Sequence, residues 1–84
     1  MLLDYQYNKV IGHAEDIYDL SKDLTKEITR LENLLAQIKR EWYGPASDAF
    51  QKQLIMLIAD MKTTRSNMSS LSTTIRNKAN KLRD

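Results

Sequence analysis

The side chains that ordinarily perform chemistry are few in this chain and poorly placed for it. One histidine and no cysteine occur, so neither a thiolate nucleophile nor a thiolate metal site can be built. His13 has Glu15 and Asp16 beside it but no second imidazole at ligand spacing, and it reads as a surface residue. No glycine-rich phosphate loop is present, and the carboxylates fall on what reads as a solvated helix face. No catalytic residue, cofactor or metal is therefore expected, which leaves binding and assembly as the classes of function.

The residues with most to offer are aromatic and apolar. Trp42-Tyr43-Gly44-Pro45-Ala46 is the only place where glycine and proline adjoin. Gly44 can take the left-handed conformation that closes a helix, and Pro45 suits the first position of the next one. Asp48 then falls in a first turn, where a carboxylate faces unpaired amides. The Trp42 ring is positioned to pack across the turn onto Ala46 and Phe50. At the far end Arg76, Lys78, Lys81 and Arg83 gather positive charge, but the Trp and the Phe lie distant from them, so a solvated, dipole-compensating terminus is expected rather than a nucleic-acid site. Met56, Met61 and Met68 suit core or partner contacts equally.

Those residues must be positioned by long helices, because 84 residues contain only two Gly and one Pro. Positions 10, 14, 17, 21, 24, 28, 31, 35, 38 and 42 are apolar except for Ser21, the alternating three- and four-residue spacing of one helix face. Helix one is expected from about Asp4 to Glu41. A second series, 50, 54, 57, 61, 64, 68, 71, 75, 78 and 82, is apolar at eight positions and predicts helix two from about Ala46 to Leu82, with the turn at 42–46. Its Asn-, Ser- and Thr-rich second half must be held by packing, and its last turns are expected to fray. One hairpin domain over residues 1–84 results.

Charge supports an antiparallel pair. Residues whose numbers sum to about 88 should face one another, which sets the acidic Glu15, Asp16, Asp19 and Asp23 along the stretch of Arg65 and Arg76. A net charge of +2, with 42% hydrophobic and 29% charged residues, is an ordinary globular balance that gives no case for nucleic acid. The longest apolar run, Leu54 to Ala59, falls well short of the roughly 20 residues a membrane span needs. The N-terminus shows no secretory signal, so any export must use a signal-peptide-independent route after folding in the cytoplasm.

Two helices leave no third layer over their remaining apolar surface. Off the seams lie Ile11, Tyr18, Leu20 and Leu34 on helix one and Ile55, Met56 and Ile58 on helix two, where residues 54–59 are apolar nearly all round. A second hairpin is expected to dock on Leu54, Ile55, Met56, Leu57, Ile58, Met61, Leu20 and Leu34, giving an all-α four-helix bundle as homodimer or heterodimer. Competing readings are an intracellular coiled-coil adaptor or nucleic-acid-binding hairpin, and a helix pair that opens onto a membrane surface.

Trp42-Tyr43-Gly44, followed by Ala46, Ala49 and Phe50 between helices of nearly equal length, resembles the WXG family of ESAT-like small proteins over essentially the whole chain. That resemblance implies a non-enzymatic helical hairpin that pairs into an antiparallel four-helix bundle and serves the type VII secretion pathway, as a secreted factor or as targeting partner for a larger effector. It implies that Trp42 and Gly44 form half of a composite export signal read by the pathway's membrane ATPase, completed by a partner's C-terminal tail. The family's tail commonly carries an aromatic four places before an acidic residue, whereas Asn80 stands four places before Asp84 here. The tail half is then expected from another small helical protein or from the helical domain of a toxin.

Overall fold

The computed structural model describes residues 1–83. Two helices of 38 residues, α1 (Asp4–Glu41) and α2 (Pro45–Leu82), fold back on one another into an antiparallel hairpin. Its Cα atoms span 62 × 15 × 12 Å, two helices wide and one helix deep. No described helix is long and apolar enough to cross a membrane.

α1 opens with its Leu3 N–H donating to the Gln6 side-chain carbonyl at 2.9 Å, and the Tyr7 N–H donating to the Leu3 C=O at 2.8 Å. Asp4 in its first turn and Lys39 and Arg40 in its last suit the helix dipole. The hairpin core is Ile28, Leu54 and Ile58, with Leu24, Leu31, Leu35, Ile38 and Met61 packed around it. Either side of that cluster the fully buried positions are small residues, with Val10, Ile17, Met68 and Ile75 half-buried among them. Ala14, Ser21, Ser47, Ser72 and Ala79 are all buried. Ser72 Oγ donates across the seam to the Ala14 C=O at 2.7 Å, while Ser21 Oγ donates within its own helix to Tyr18 at 2.6 Å. Buried hydroxyls are tolerated because each finds a carbonyl.

Small seam residues correct the expected seam of α2. The apolar series placed positions 50, 57 and 71 on it, yet Phe50, Leu57 and Leu71 are about half exposed. The buried line instead runs through Ser47, Leu54, Ile58, Ser72 and Ala79. The reason is steric: two backbones approach most closely over small side chains, which turns the neighbouring larger stripe outward. Ser21, read as a break in the stripe of α1, is likewise buried within it.

α2 runs to Leu82, the bound expected from its sequence, and the ends are tied together. Leu2 N–H donates to the Leu82 C=O at 2.7 Å, and Tyr7 Oη donates to Asn80 Oδ1 at 2.6 Å. The Arg83 guanidinium lies 4.2 Å over the Tyr7 ring and 3.7 Å from the Asp4 carboxylate. Asp84 lies outside the described residues. The antiparallel register holds, since Ala14 meets Ser72 and Tyr7 meets Asn80. Among the described residues, however, Glu15, Asp16, Asp19 and Asp23 make no ion pair with Arg65 or Arg76; the interhelix pairs are Glu32–Lys62 at 3.2 Å and Asp4–Arg83. Arg65 and Arg76 lie half-buried along the seam, whereas the four carboxylates point outward into water.

Candidate functional site

Three residues, Trp42, Tyr43 and Gly44, connect the helices, and four hydrogen bonds tie the turn to the helix ends. Trp42 closes α1 in extended conformation, with its N–H donating to the Ile38 C=O at 2.9 Å. Its own carbonyl lies past the helix end and accepts from Ser47 Oγ at 2.7 Å. Ser47 is fully buried in the first turn of α2, and its oxygen in turn accepts from Gln51 Nε2 at 3.0 Å. Tyr43 Oη reaches back to the Arg40 C=O at 2.8 Å.

Gly44 departs from the sequence expectation. It caps the start of α2 instead of the end of α1, with φ 118° and ψ 174°. That region lies outside the left-handed helical well and is open in practice to glycine alone. A Cβ placed there would meet nothing within 4 Å, so the demand for glycine is set by backbone conformation and not by space. The Gly44 carbonyl then accepts the first helical bond of α2, from the Asp48 N–H at 3.0 Å, directly after Pro45 at the first helical position.

The result is a fixed aromatic platform. Trp42 packs on Phe50 with ring centroids 5.9 Å apart and planes tilted by 50°, a favourable aromatic geometry. The two rings remain 44% and 45% exposed, held in place by the backbone beneath them while presenting a face to solvent. An exposed aromatic pair on a rigid turn is suited to recognition by another protein.

Of the residues expected to meet a partner, Leu54 and Ile58 are instead enclosed in the hairpin's own core, and Met61 packs against that core. Consecutive helical residues are turned by about 100°, so a run of six cannot share one face. Ile55, Met56 and Leu57 remain open, as do Leu20 and Leu34. They fall on different sides. Ile55 lines a shallow groove of about 230 Å³ with Glu32, Leu35, Ile58, Ala59 and Lys62. Leu34 follows Glu32 by two residues and Leu57 follows Ile55 by two, a rotation of about 200° each, so both emerge on the opposite face. Phe50 and Leu71, at seven-residue spacings from Leu57 and its stripe, extend that face along α2. Sequence reasoning gave neither Leu71 nor Ser47 such a role; the heptad spacing 50, 57, 71 was the available signal for the first. Among the described residues no three His, Asp or Glu side chains are grouped as a metal site requires.

The structural class is thus a long helical hairpin with a Trp-x-Gly turn at its tip and an uncovered apolar face. Residues 2–84 match the model of the WXG100 family, proteins of 100 residues with WXG, and the chain belongs to that family. Its members are small, ESAT-like helical substrates of type VII secretion and typically pair as dimers. No curated protein and no solved structure matches the chain.

Proposed function

We propose that this chain is a non-enzymatic component of a type VII secretion pathway that pairs through its exposed apolar face into a four-helix bundle and leaves the cell folded. It serves as a secreted factor or as the targeting partner of a larger effector. The observation that carries this reading is the turn. Trp42 is half exposed, yet its backbone N–H and C=O are both bonded and its ring rests on Phe50, which is the pre-organisation a docking element needs.

In this reading Trp42 and Gly44 form the part of the export signal that the secretion ATPase recognises. Leu20, Leu34 and Leu57, with Phe50 and Leu71, form the pairing surface; Ile55 and Met56 lie off it, and Leu54, Ile58 and Met61 support it from inside the hairpin. No signal peptide is involved, because the paired and folded unit is itself what is recognised.

The test is export from the native host. Trp42→Ala and Gly44→Arg should each remove the protein from culture supernatant while cellular levels stay similar. Trp42→Ala is the cleaner variant, because Gly44→Arg also strains the turn. Unaltered export of Trp42→Ala would overturn the proposal.

A further inference from the structure

The two faces of the hairpin differ in charge. On the face assigned to pairing, the seven-residue spacing of α1 sets Glu27 and Glu41 among Leu20 and Leu34, and Asp60 follows Leu57 on α2. The reverse face, where Ile55 lies, is bordered on α1 by Ile11, Tyr18, Thr25, Glu32 and Lys39, again seven residues apart. The one carboxylate in that stripe, Glu32, is already paired with Lys62 at 3.2 Å. On α2, Arg65 follows Ile58 by seven residues and Arg76 follows it by eighteen, close to two and five whole turns, so all three stand on one line beside the seam. Both arginines are half-buried, their stems laid along the hairpin, and among the described residues neither has a carboxylate within ion-pair distance. Half-buried Ser69 and exposed Thr73 lie between them and add hydroxyls, not charge.

We infer that this reverse face is a docking site for an acidic amphipathic helix of a partner protein. One aliphatic side chain of that helix fills the groove of about 230 Å³ beside Ile55, and its carboxylates meet Arg65 and Arg76. The spacing selects a helix. Ile58 to Arg76 spans about 27 Å, and side chains that return to one line every turn reach the groove and both guanidinium groups together. The charge selects an acidic one, since a carboxylate matches a guanidinium with two parallel bonds.

Other occupants fit less well. The apolar part of this face is a hollow walled by Leu35, Ile55, Ile58 and Ala59, which receives an inserted side chain. Lying on a membrane needs a broad, protruding apolar face, whereas the large apolar side chains exposed along the middle of this one are Tyr18 and Ile55, 43% and 47% open. Glu32 on the groove rim repels phosphate, which disfavours a nucleic acid. A helix held here leaves the proposed pairing surface free.

The test uses a fluorescently labelled synthetic helix of about six turns, built of alanine and glutamine, with one leucine near its C-terminus and glutamates seven and eighteen residues before it. Titrated with the full chain and followed by anisotropy, it should bind saturably. Arg65→Gln and Arg76→Gln should each weaken binding about tenfold, the size of one charge-assisted hydrogen bond, and Ile55→Glu at least as much. Leu57→Glu, on the other face, should leave binding unchanged, and a peptide with lysines in place of the glutamates should not bind. Each variant is first shown to keep the parent's helicity by circular dichroism. No saturation up to about 1 mM chain, equal binding of the two peptides, or indifference to both arginine substitutions overturns the inference. Either rival occupant does so too: phosphatidylglycerol vesicles that take up the chain when the peptide does not, or self-assembly beyond a dimer that Arg65→Gln abolishes. Export plays no part in this measurement, so peptide binding can fail while Trp42→Ala still blocks export, and the two proposals are judged separately.

Discussion

Ser47→Ala is the substitution that most directly tests how the turn is held. The Ser47 hydroxyl is fully buried and makes two bonds, donating to the Trp42 carbonyl and accepting from the Gln51 amide. Its removal loses a net hydrogen bond of about 0.5–1.5 kcal/mol, and a stranded buried acceptor costs about 1–3 kcal/mol. Gln51 is half-buried and the Ser47–Trp42 bond part-buried, so water can replace part of each and the cost falls at the low end of that range. Alanine's better helix propensity returns about 0.5 kcal/mol. The net loss is about 1–2 kcal/mol, or roughly 5–15 °C in Tm for a chain of this size. Melts followed by far-UV circular dichroism at fixed concentration read the stability, and the emission of Trp42, the one tryptophan, reads the turn. Ser72→Ala is the control. It deletes an equally buried hydroxyl, but the Ala14 carbonyl it bonds lies mid-helix and keeps its own helical partner, so the loss should be at most about 1 kcal/mol. If Ser47→Ala melts within about 2 °C of the parent with unchanged emission, the claim that this hydroxyl fixes Trp42 is wrong.

Other substitutions probe the remaining supports. Ile28→Ala, at a residue 1% exposed in the centre of the core, should cost about 2–5 kcal/mol and lower the denaturant midpoint with little change in slope. Gly44→Ala should cost about 1–3 kcal/mol through its positive φ alone, visible in the same melts, although no atom obstructs the added methyl. Tyr7→Phe removes the bond to Asn80 but keeps the ring under Arg83. Hydrogen exchange should therefore quicken over the last turn of α2 while Tm falls by no more than a few degrees. Neutralising Lys62 should change stability by at most about 1 kcal/mol, measurable by the same denaturant titration, because its pair with Glu32 is solvent-exposed.

Much of this architecture was legible in the pattern of apolar residues, because a sustained three-four spacing admits only one long helix and a Gly-Pro pair breaks it. The α1 seam could be read almost entirely from side-chain type. On α2 the same method followed the larger stripe, since periodicity scores hydrophobicity and is blind to size; Ser47, Ser72 and Ala79 win the interior because they let two backbones close. The bonds that matter most, from Ser47 to Trp42 and from Ser72 to Ala14, join residues whose partners are set by tertiary register, and no local signal announces them. Gly44 was recognisable as indispensable to the turn, but its conformation depended on how the α2 start meets Trp42, which is a property of the folded junction.

The same substitution of small for large along the seam accounts for why this hairpin has surface to give away. Among the described residues Ile28, Leu54 and Ile58 are the large aliphatic side chains that are buried, with Leu24, Leu31, Leu35, Ile38 and Met61 partly so, and full burial of the first three contributes about 5–9 kcal/mol. Ordering a residue costs about 1–2 kcal/mol in backbone entropy alone, so a rod of 38-residue helices depends heavily on helical hydrogen bonds and on whatever else it can cover. Phe50, Leu57 and Leu71 on one helix, with Leu20 and Leu34 on the other, are the apolar area left over once small residues have taken the interior. If that face pairs as proposed, pairing and folding are coupled in this chain. Covering that face adds stability by mass action, and the Tm of the parent should rise with protein concentration. Leu57→Glu should remove that concentration dependence while leaving the Ile28 cluster and the Trp42–Ser47 turn intact.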